Sequence, residues 1–234
     1  MPIPHIRAVL FDAVGTLIHP HPPVAQAYAQ LGREFGSALG DEEIDARFRG
    51  AWAAEEARDA ELDYRTGEKR EQERWRNIVE SLFDDVEDKP GLFAALWDHF
   101  AAAENWGVFP DVAPAWERLR ACDLQLGIAS NFDLRLHVLC KRLPPLDGAS
   151  RVIVSSLLGR RKPHPEFFAK AAAMMKLPPE QILFVGDSLE LDYRPALSAG
   201  MSAVLLERGP DRPPSPEVGV SSLAGIADLL GASH

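Results

Sequence analysis

Cysteine is nearly missing from this chain: Cys122 and Cys140 are the two it has among 234 residues. They share no close spacing with each other or with paired histidines, so neither a zinc motif nor a CxxC redox motif is present. Two ordinary thiols in a reducing compartment are expected. Positive charge is short too. Lys and Arg number 25 against 35 Asp and Glu, a formal net charge of −10. That excludes a general phosphate-backbone binder, which needs a basic face. No apolar run approaches membrane-spanning length, and the N-terminus lacks a basic flank followed by a long apolar segment. Internal repeats and low-complexity segments are absent as well. These absences predict a soluble cytoplasmic protein, monomeric or weakly dimeric, with neither nucleic-acid nor membrane partners. It is long enough to bury a sizeable core.

What is present begins with Ala8 to Leu17, AVLFDAVGTL. Ala8–Phe11 is a short unbroken apolar run, as expected of a strand buried on both faces of a parallel sheet. Asp12 follows at once and Gly15-Thr16 breaks the run. A carboxylate is thereby placed at the carboxyl end of a strand, where open α/β sheets bind ligands. A capping Asp at a strand–loop junction would show the same local pattern.

His19-Pro20-His21-Pro22-Pro23 is too proline-rich for a strand or helix interior and reads as a hinge. From Val24 to about Trp106 the pattern is helical with no convincing strand. Tyr28, Leu31 and Phe35 recur at helical spacing, as do Ile44 and Phe48, then Trp75, Val79 and Leu82, then Phe93, Leu96, Trp97 and Phe100. Asp41 reads as the N-cap of the second helix, and Pro90 suits the first turn of the fourth. Four of the five tryptophans (Trp52, Trp75, Trp97, Trp106) fall in this block. Packing between amphipathic helices is expected of them, ahead of lining a substrate pocket.

From Phe109 helices and strands alternate. Helices are expected over Val112–Leu119, Leu134–Leu143, Glu166–Met175, Pro195–Ala199 and Leu223–Leu230. Strands are expected over Leu124–Ala129, Arg151–Val154, Ile182–Val185 and Ala203–Leu206, and Pro210–Pro216 reads as a surface loop. Strands spaced by helices predict an α/β fold with a parallel sheet. Three of the strands end in polar residues: Asp12, Ser130-Asn131 and Asp187-Ser188. In a parallel sheet those ends lie along one edge, and Lys162, opening a helix between two of the strands, can reach it. Asp12 and Asp187 would repel unless a cation lay between them, and oxygen ligands of this kind suit Mg²⁺. Lys162 and the Ser130 hydroxyl could then hold an anionic substrate group, leaving Asp12 as the carboxylate nucleophile.

Four segments now carry a resemblance. Phe11-Asp12-Ala13-Val14-Gly15-Thr16 is similar to a DxDGT motif. Ala129-Ser130-Asn131 is a second, and Lys162-Pro163-His164-Pro165-Glu166-Phe167-Phe168 a third, of KPxPxxF form. Gly186-Asp187-Ser188-Leu189-Glu190-Leu191-Asp192 is a fourth, GDSxxxD. In this order the chain resembles the haloacid dehalogenase-like (HAD) hydrolase superfamily. The resemblance implies a Rossmann-like parallel sheet core at residues 1–18 and 107–234, with an all-helical cap domain inserted at 19–106. It further implies that Asp12 is the nucleophile and forms an aspartyl-phosphate. The Val14 backbone carbonyl, Asp187 and Asp192 would join Asp12 in holding Mg²⁺, although a helix-capping role for Asp192 stands beside the metal role. Ser130 and the Asn131 backbone N–H would hold phosphoryl oxygens, and Lys162 would neutralise charge on nucleophile and phosphate.

One departure matters. Phosphatases of this family carry a second Asp where this chain has Val14. That Asp protonates the leaving oxygen and activates water, a contribution of roughly 10²- to 10⁴-fold for a well-placed acid/base. Metal binding need not suffer, because the ligand there is a backbone carbonyl. His19, His21 and cap carboxylates such as Glu55 are the replacements considered, and a leaving group that needs no proton, such as an acyl phosphate, would ease the defect. The leading expectation is a Mg²⁺-dependent phosphatase of a small phosphorylated metabolite. Cleavage of a C–halogen or C–P bond is the enzymatic alternative; Lys69 and Lys89, the cap's only lysines, both read as solvated and so offer no Schiff-base amine. A catalytically silent binding module is the alternative of another class.

Overall fold

The computed structural model describes residues 5–209 and 219–230. At its centre is β1 (Ala8–Phe11), whose four residues are all buried. Alternation along the strand divides its side chains between two layers. Val9 and Phe11 join one apolar cluster, and Ala8 and Leu10 the other. The same division holds in β4 (Gln125–Ser130), β6 (Ile182–Gly186) and β7 (Ser202–Leu206). Helices α5 (Val112–Ala121), α6 (Arg135–Arg142) and α10 (Ala224–Leu229) cover the first face; α8 (Pro165–Met175) and α9 (Arg194–Ser198) cover the second. The chain is therefore α/β, with helices on both sides of one sheet.

That sheet has six strands in the order β5 (Arg151–Val154), β4, β1, β6, β7, β8 (Gly219–Val220), and every pairing is parallel. Strand order reverses at β1, which pairs with β4 on one side and β6 on the other. A crevice opens at such a switch point. β8 and the single-turn helix α7 (Ser155–Leu158) were too short to carry a periodic signal. Pro210–Pro216 lies outside the described residues.

Between β2 (Ile18–Pro20) and β3 (Trp106–Val108) run four helices: α1 (Val24–Glu34), α2 (Asp41–Glu61), α3 (Glu68–Leu82) and α4 (Lys89–His99). They enclose an apolar cluster of their own, including Tyr28, Ile44, Val79, Leu82 and Leu92. Asp88 caps α4 by accepting from the Gly91 N–H, with Pro90 in the first turn as expected. Asp41 is not an N-cap; Gly40 holds that position, and Asp41 sits in the first turn, where its charge meets the positive end of the helix. The larger correction is β2 itself. Ile18–Pro20 is a strand after all, antiparallel to β3, and Trp106 belongs to that ribbon and not to a helix. Ladder bonds run from the Phe109 N–H to the Leu17 carbonyl and from the His21 N–H to the Asn105 carbonyl. Pro20 falls between such pairs, where no N–H is required.

Candidate active site

The carboxyl ends of β4, β1 and β6 form the floor of a cavity of ≈ 510 Å³. Asp12 follows β1 and is buried. Its Oδ1 accepts from Lys162 Nζ at 2.6 Å, and the same ammonium donates to Asp192 Oδ1 at 2.6 Å. Oxygens of Asp12, Asp187 and Asp192 all lie within 4.8 Å of one another. Two glycines make room for them. Gly15, at φ +86, is so close to the Asp187 carboxylate that a Cβ would overlap it, and a Cβ on Gly186 would overlap Asp192.

Three carboxylates therefore face one ammonium ion. Burial lowers the Lys162 pKa, but Asp12 and Asp192 outweigh it and the net shift is upward. Desolvation and the Asp12 charge raise Asp187, with Lys162 pulling the other way. Asp192 is pushed up to about 6, chiefly by burial, against the pull of Lys162. The site is short of positive charge, and its donors are all hard oxygens. That set fits a divalent cation such as Mg²⁺.

The other expected residues also line the cavity: Val14, Ser130 and Asn131. Asn131 does more than was foreseen. Its side chain receives the Lys162 N–H at 2.7 Å and donates to the Lys162 carbonyl at 3.0 Å, clasping the lysine's backbone. Asp192 is no helix cap. It lies in a π-type turn, Leu189–Tyr193, and accepts from the Ser188 N–H at 3.1 Å. Thr16 has no site role in the sequence reading, yet its buried hydroxyl points at Asp187 Oδ1 from 3.4 Å. Only its place in the GT pair could have signalled it.

Of the acid/base replacements considered, His19, His21 and Glu55 are not in the cavity lining, whereas Glu56, another carboxylate of the helical block, is. His19 packs its ring on Phe109 and makes a hydrogen bond with the Pro20 carbonyl. His21 is exposed. Glu55 is buried in the helical block, paired with Arg70 and Asn77. Nearness in sequence to the first motif did not become nearness in space. Lys69 is solvated as expected, and Lys89 reaches only the Glu80 carbonyl.

The tryptophans correct the sequence reading most. Trp52, Trp75 and Trp106 line the cavity, Trp75 and Trp106 while also packing against the apolar clusters, whereas Trp97 packs against the helical cluster as expected. Trp75, Trp52, Phe48 and Tyr28 follow one another with ring centroids 5.8, 6.0 and 5.5 Å apart. Phe100 and Trp106 continue the line, at 5.9 and 6.1 Å, to Phe132 at 6.0 Å, which directly follows Asn131. The roof of the cavity is thus an aromatic belt that ends beside the polar floor.

No helix among the described residues is long and apolar enough to cross a membrane. Comparison with known proteins agrees with the geometry. Residues 6–200 match the model of the haloacid dehalogenase-like hydrolases. Haloacid dehalogenase-like hydrolase domain-containing protein 3 of Xenopus laevis is 27% identical, over 89% of this chain and 86% of that one. Ribulose-1,5-bisphosphate 5-phosphatase of Halopiger xanaduensis is 29% identical, over 86% and 84%. The crystal structure of a HAD phosphatase from Thermococcus onnurineus superposes with a TM-score of 0.67 at 25% identity, covering 97% of this chain and 99% of that one. With its four motifs gathered at one sheet edge and most of its length matched, this chain belongs to the haloacid dehalogenase-like hydrolases.

Proposed function

We propose that this hydrolase is a Mg²⁺-dependent phosphatase of a small phosphorylated metabolite, working through an aspartyl-phosphate on Asp12. The observation that carries the reading is the charge imbalance on the floor. Asp12 is held by Lys162, while Asp187, close by, makes no ion pair among the described residues. Phosphatases among the relatives support the substrate class.

In the first step an Asp12 oxygen bonds to phosphorus and the ester P–O bond breaks, its electron pair leaving with the alcohol oxygen. Water then attacks the aspartyl-phosphate, and inorganic phosphate departs from Asp12. Lys162 neutralises charge on nucleophile and phosphoryl group, and Asn131 positions it. The Ser130 hydroxyl and the Asn131 backbone N–H donate to phosphoryl oxygens. When bound, Mg²⁺, held by Asp12, the Val14 carbonyl, Asp187 and, through water, Asp192, would screen nucleophile from phosphate. Residues 19–106 form the cap, which excludes water and supplies substrate contacts, over a core of 1–18 and 107–234.

The test is phosphate release from a panel of phosphorylated metabolites, with and without Mg²⁺, for wild type and Asp12→Asn. Metal-dependent release is expected, falling by at least about 10³-fold in the variant, an amide being a far poorer nucleophile than a carboxylate. Undiminished turnover in a well-folded Asp12→Asn protein sinks the mechanism. Halide release that ignores Mg²⁺ points to dehalogenation instead.

A further inference from the structure

Two independent features of the cavity bear on what leaves Asp12. One is Val14, which can neither donate nor accept a proton where it faces the floor. An alkoxide, the leaving group of any sugar or polyol phosphate, departs poorly without a proton. The other is the aromatic belt. The charged side chains that reach the cavity near it, Arg49, Glu56, Arg135 and Arg161, are already engaged, Arg135 with Asp133 at 2.7 Å and Arg161 with Glu71 at 2.6 Å. Glu56 is paired with Arg74 at 2.5 Å and lies 3.7 Å from Arg161, and Arg49 is paired with Asp45. Trp52 is itself fixed, with the Arg74 guanidinium 4.5 Å from its ring centroid. Hydroxyls or charges on a leaving group would meet mainly ring faces there and be desolvated.

We infer that the leaving group is an aromatic alcohol, so that the substrate is a small aryl phosphate monoester. This inference rests on the phosphatase reading above. The ring stacks against Trp52 and Trp75, whose centroids lie 5.8 Å apart, while the phosphoryl group meets Asp12. Asp12 oxygen bonds to phosphorus, the aryl P–O bond breaks, and the oxygen leaves as a phenolate whose charge the ring delocalises. The phenolate takes its proton from water after it has left, and the absent acid at Val14 ceases to matter in this step. A volume of ≈ 510 Å³ accommodates a phosphate with one or two fused rings.

The test separates ring stacking from leaving-group acidity. 2-Naphthyl phosphate and hexafluoroisopropyl phosphate release alcohols of similar acidity, and only the first can stack. With Mg²⁺, wild type should favour the naphthyl ester in kcat/KM by at least about tenfold, the scale of one or two good aromatic contacts. Combining Trp52→Leu with Trp75→Leu should bring the ratio of the two esters close to one, through KM. As a readout apart from turnover, 2-naphthyl phosphate should quench the tryptophan fluorescence of Asp12→Asn protein saturably. Equal kcat/KM for the two esters in wild type, or no saturable quenching, overturns the aryl assignment and leaves the phosphatase standing. Phosphate release from neither ester overturns the phosphatase reading, and this one with it.

Discussion

Two largely buried charge clusters lie close together in this molecule, and they are built to opposite ends. On the cavity floor Asp12, Asp187 and Asp192 share the single ammonium of Lys162. Next along the chain, Arg161 turns into the helical block and enters a cluster in which charges balance. There Glu55, Glu56, Asp59 and Glu71 face Arg58, Arg70, Arg74 and Arg161. Asp59, fully buried, touches three of the four guanidiniums. Paired charges of this kind hold a geometry, and the cost of burying them is offset only while every partner is present. A cluster short of one sign is instead suited to binding a counter-ion. Charge burial alone does not mark function; the uncompensated remainder does.

The largest effect should come from unbalancing the balanced cluster. Asp59→Ala leaves Arg74 and Arg161 buried and underpaired, which typically costs about 3–5 kcal/mol. For a chain of this size that lowers Tm by about 10 °C. A drop within a degree or two, by calorimetry, means that the guanidiniums find water and the cluster holds nothing. A smaller effect, of opposite sign, should follow from supplying the floor with its cation. Mg²⁺ at a hundredfold excess over Kd stabilises the folded state by about 2.7 kcal/mol. Asp187→Ala should remove most of that shift. No shift in wild type at millimolar Mg²⁺ removes the metal site from the floor.

The same contrast sets how much was legible beforehand. The floor is written in short contiguous motifs, so Asp12, Ser130 and Asp187 could be placed at one sheet edge from strand ends alone, with Lys162 brought to it from the segment before α8. The Asn131 side chain escaped because its clasp on Lys162 joins residues 31 apart in the chain. The roof escaped for a different reason. Helical periodicity identifies the apolar face of α2 or α3, but it cannot say whether that face meets another helix or a cavity. Trp52 and Trp75 have the same spacing either way. The ribbon at Pro20 escaped because proline propensity weighs against strands in general, whereas the ladder leaves alternate positions free.

Between floor and roof stands Val14, and Val14→Asp sharpens the comparison at about tenfold. An Asp there should donate a proton to a departing alkoxide, so turnover of an alkyl phosphate should rise by about an order of magnitude. An aryl phosphate should gain less, since its phenolate leaves without help. Val14 is half-buried against the core, and a few degrees of Tm should be lost to the new carboxylate. Equal gains for both ester types indicate a general effect on the site and not a leaving-group acid.

The smallest effect is the most direct test of balance against imbalance: neutralising one carboxylate in each cluster of the metal-free protein. Asp187→Asn relieves repulsion with Asp12, the interaction that helps to hold its carboxyl above the usual range. Stability should rise, by no more than about 1 kcal/mol, because Asp187 is exposed and partly screened. Glu71→Gln should do the reverse. Burial alone would raise the Glu71 pKa, but Arg161, at 2.6 Å, and the Thr66 hydroxyl, at 2.7 Å, hold it below its ordinary 4.5. A carboxyl lowered on folding contributes stability that is complete above its unfolded pKa and is lost as pH falls through the folded one. The deficit of Glu71→Gln against wild type should therefore be constant near neutrality and shrink below about pH 4.5. Thermal melts of the three proteins from neutral pH down to the acid limit of folding measure both signs. If both substitutions destabilise alike, the floor is as well compensated as the helical cluster, and the argument for a cation at Asp12 and Asp187 loses its footing.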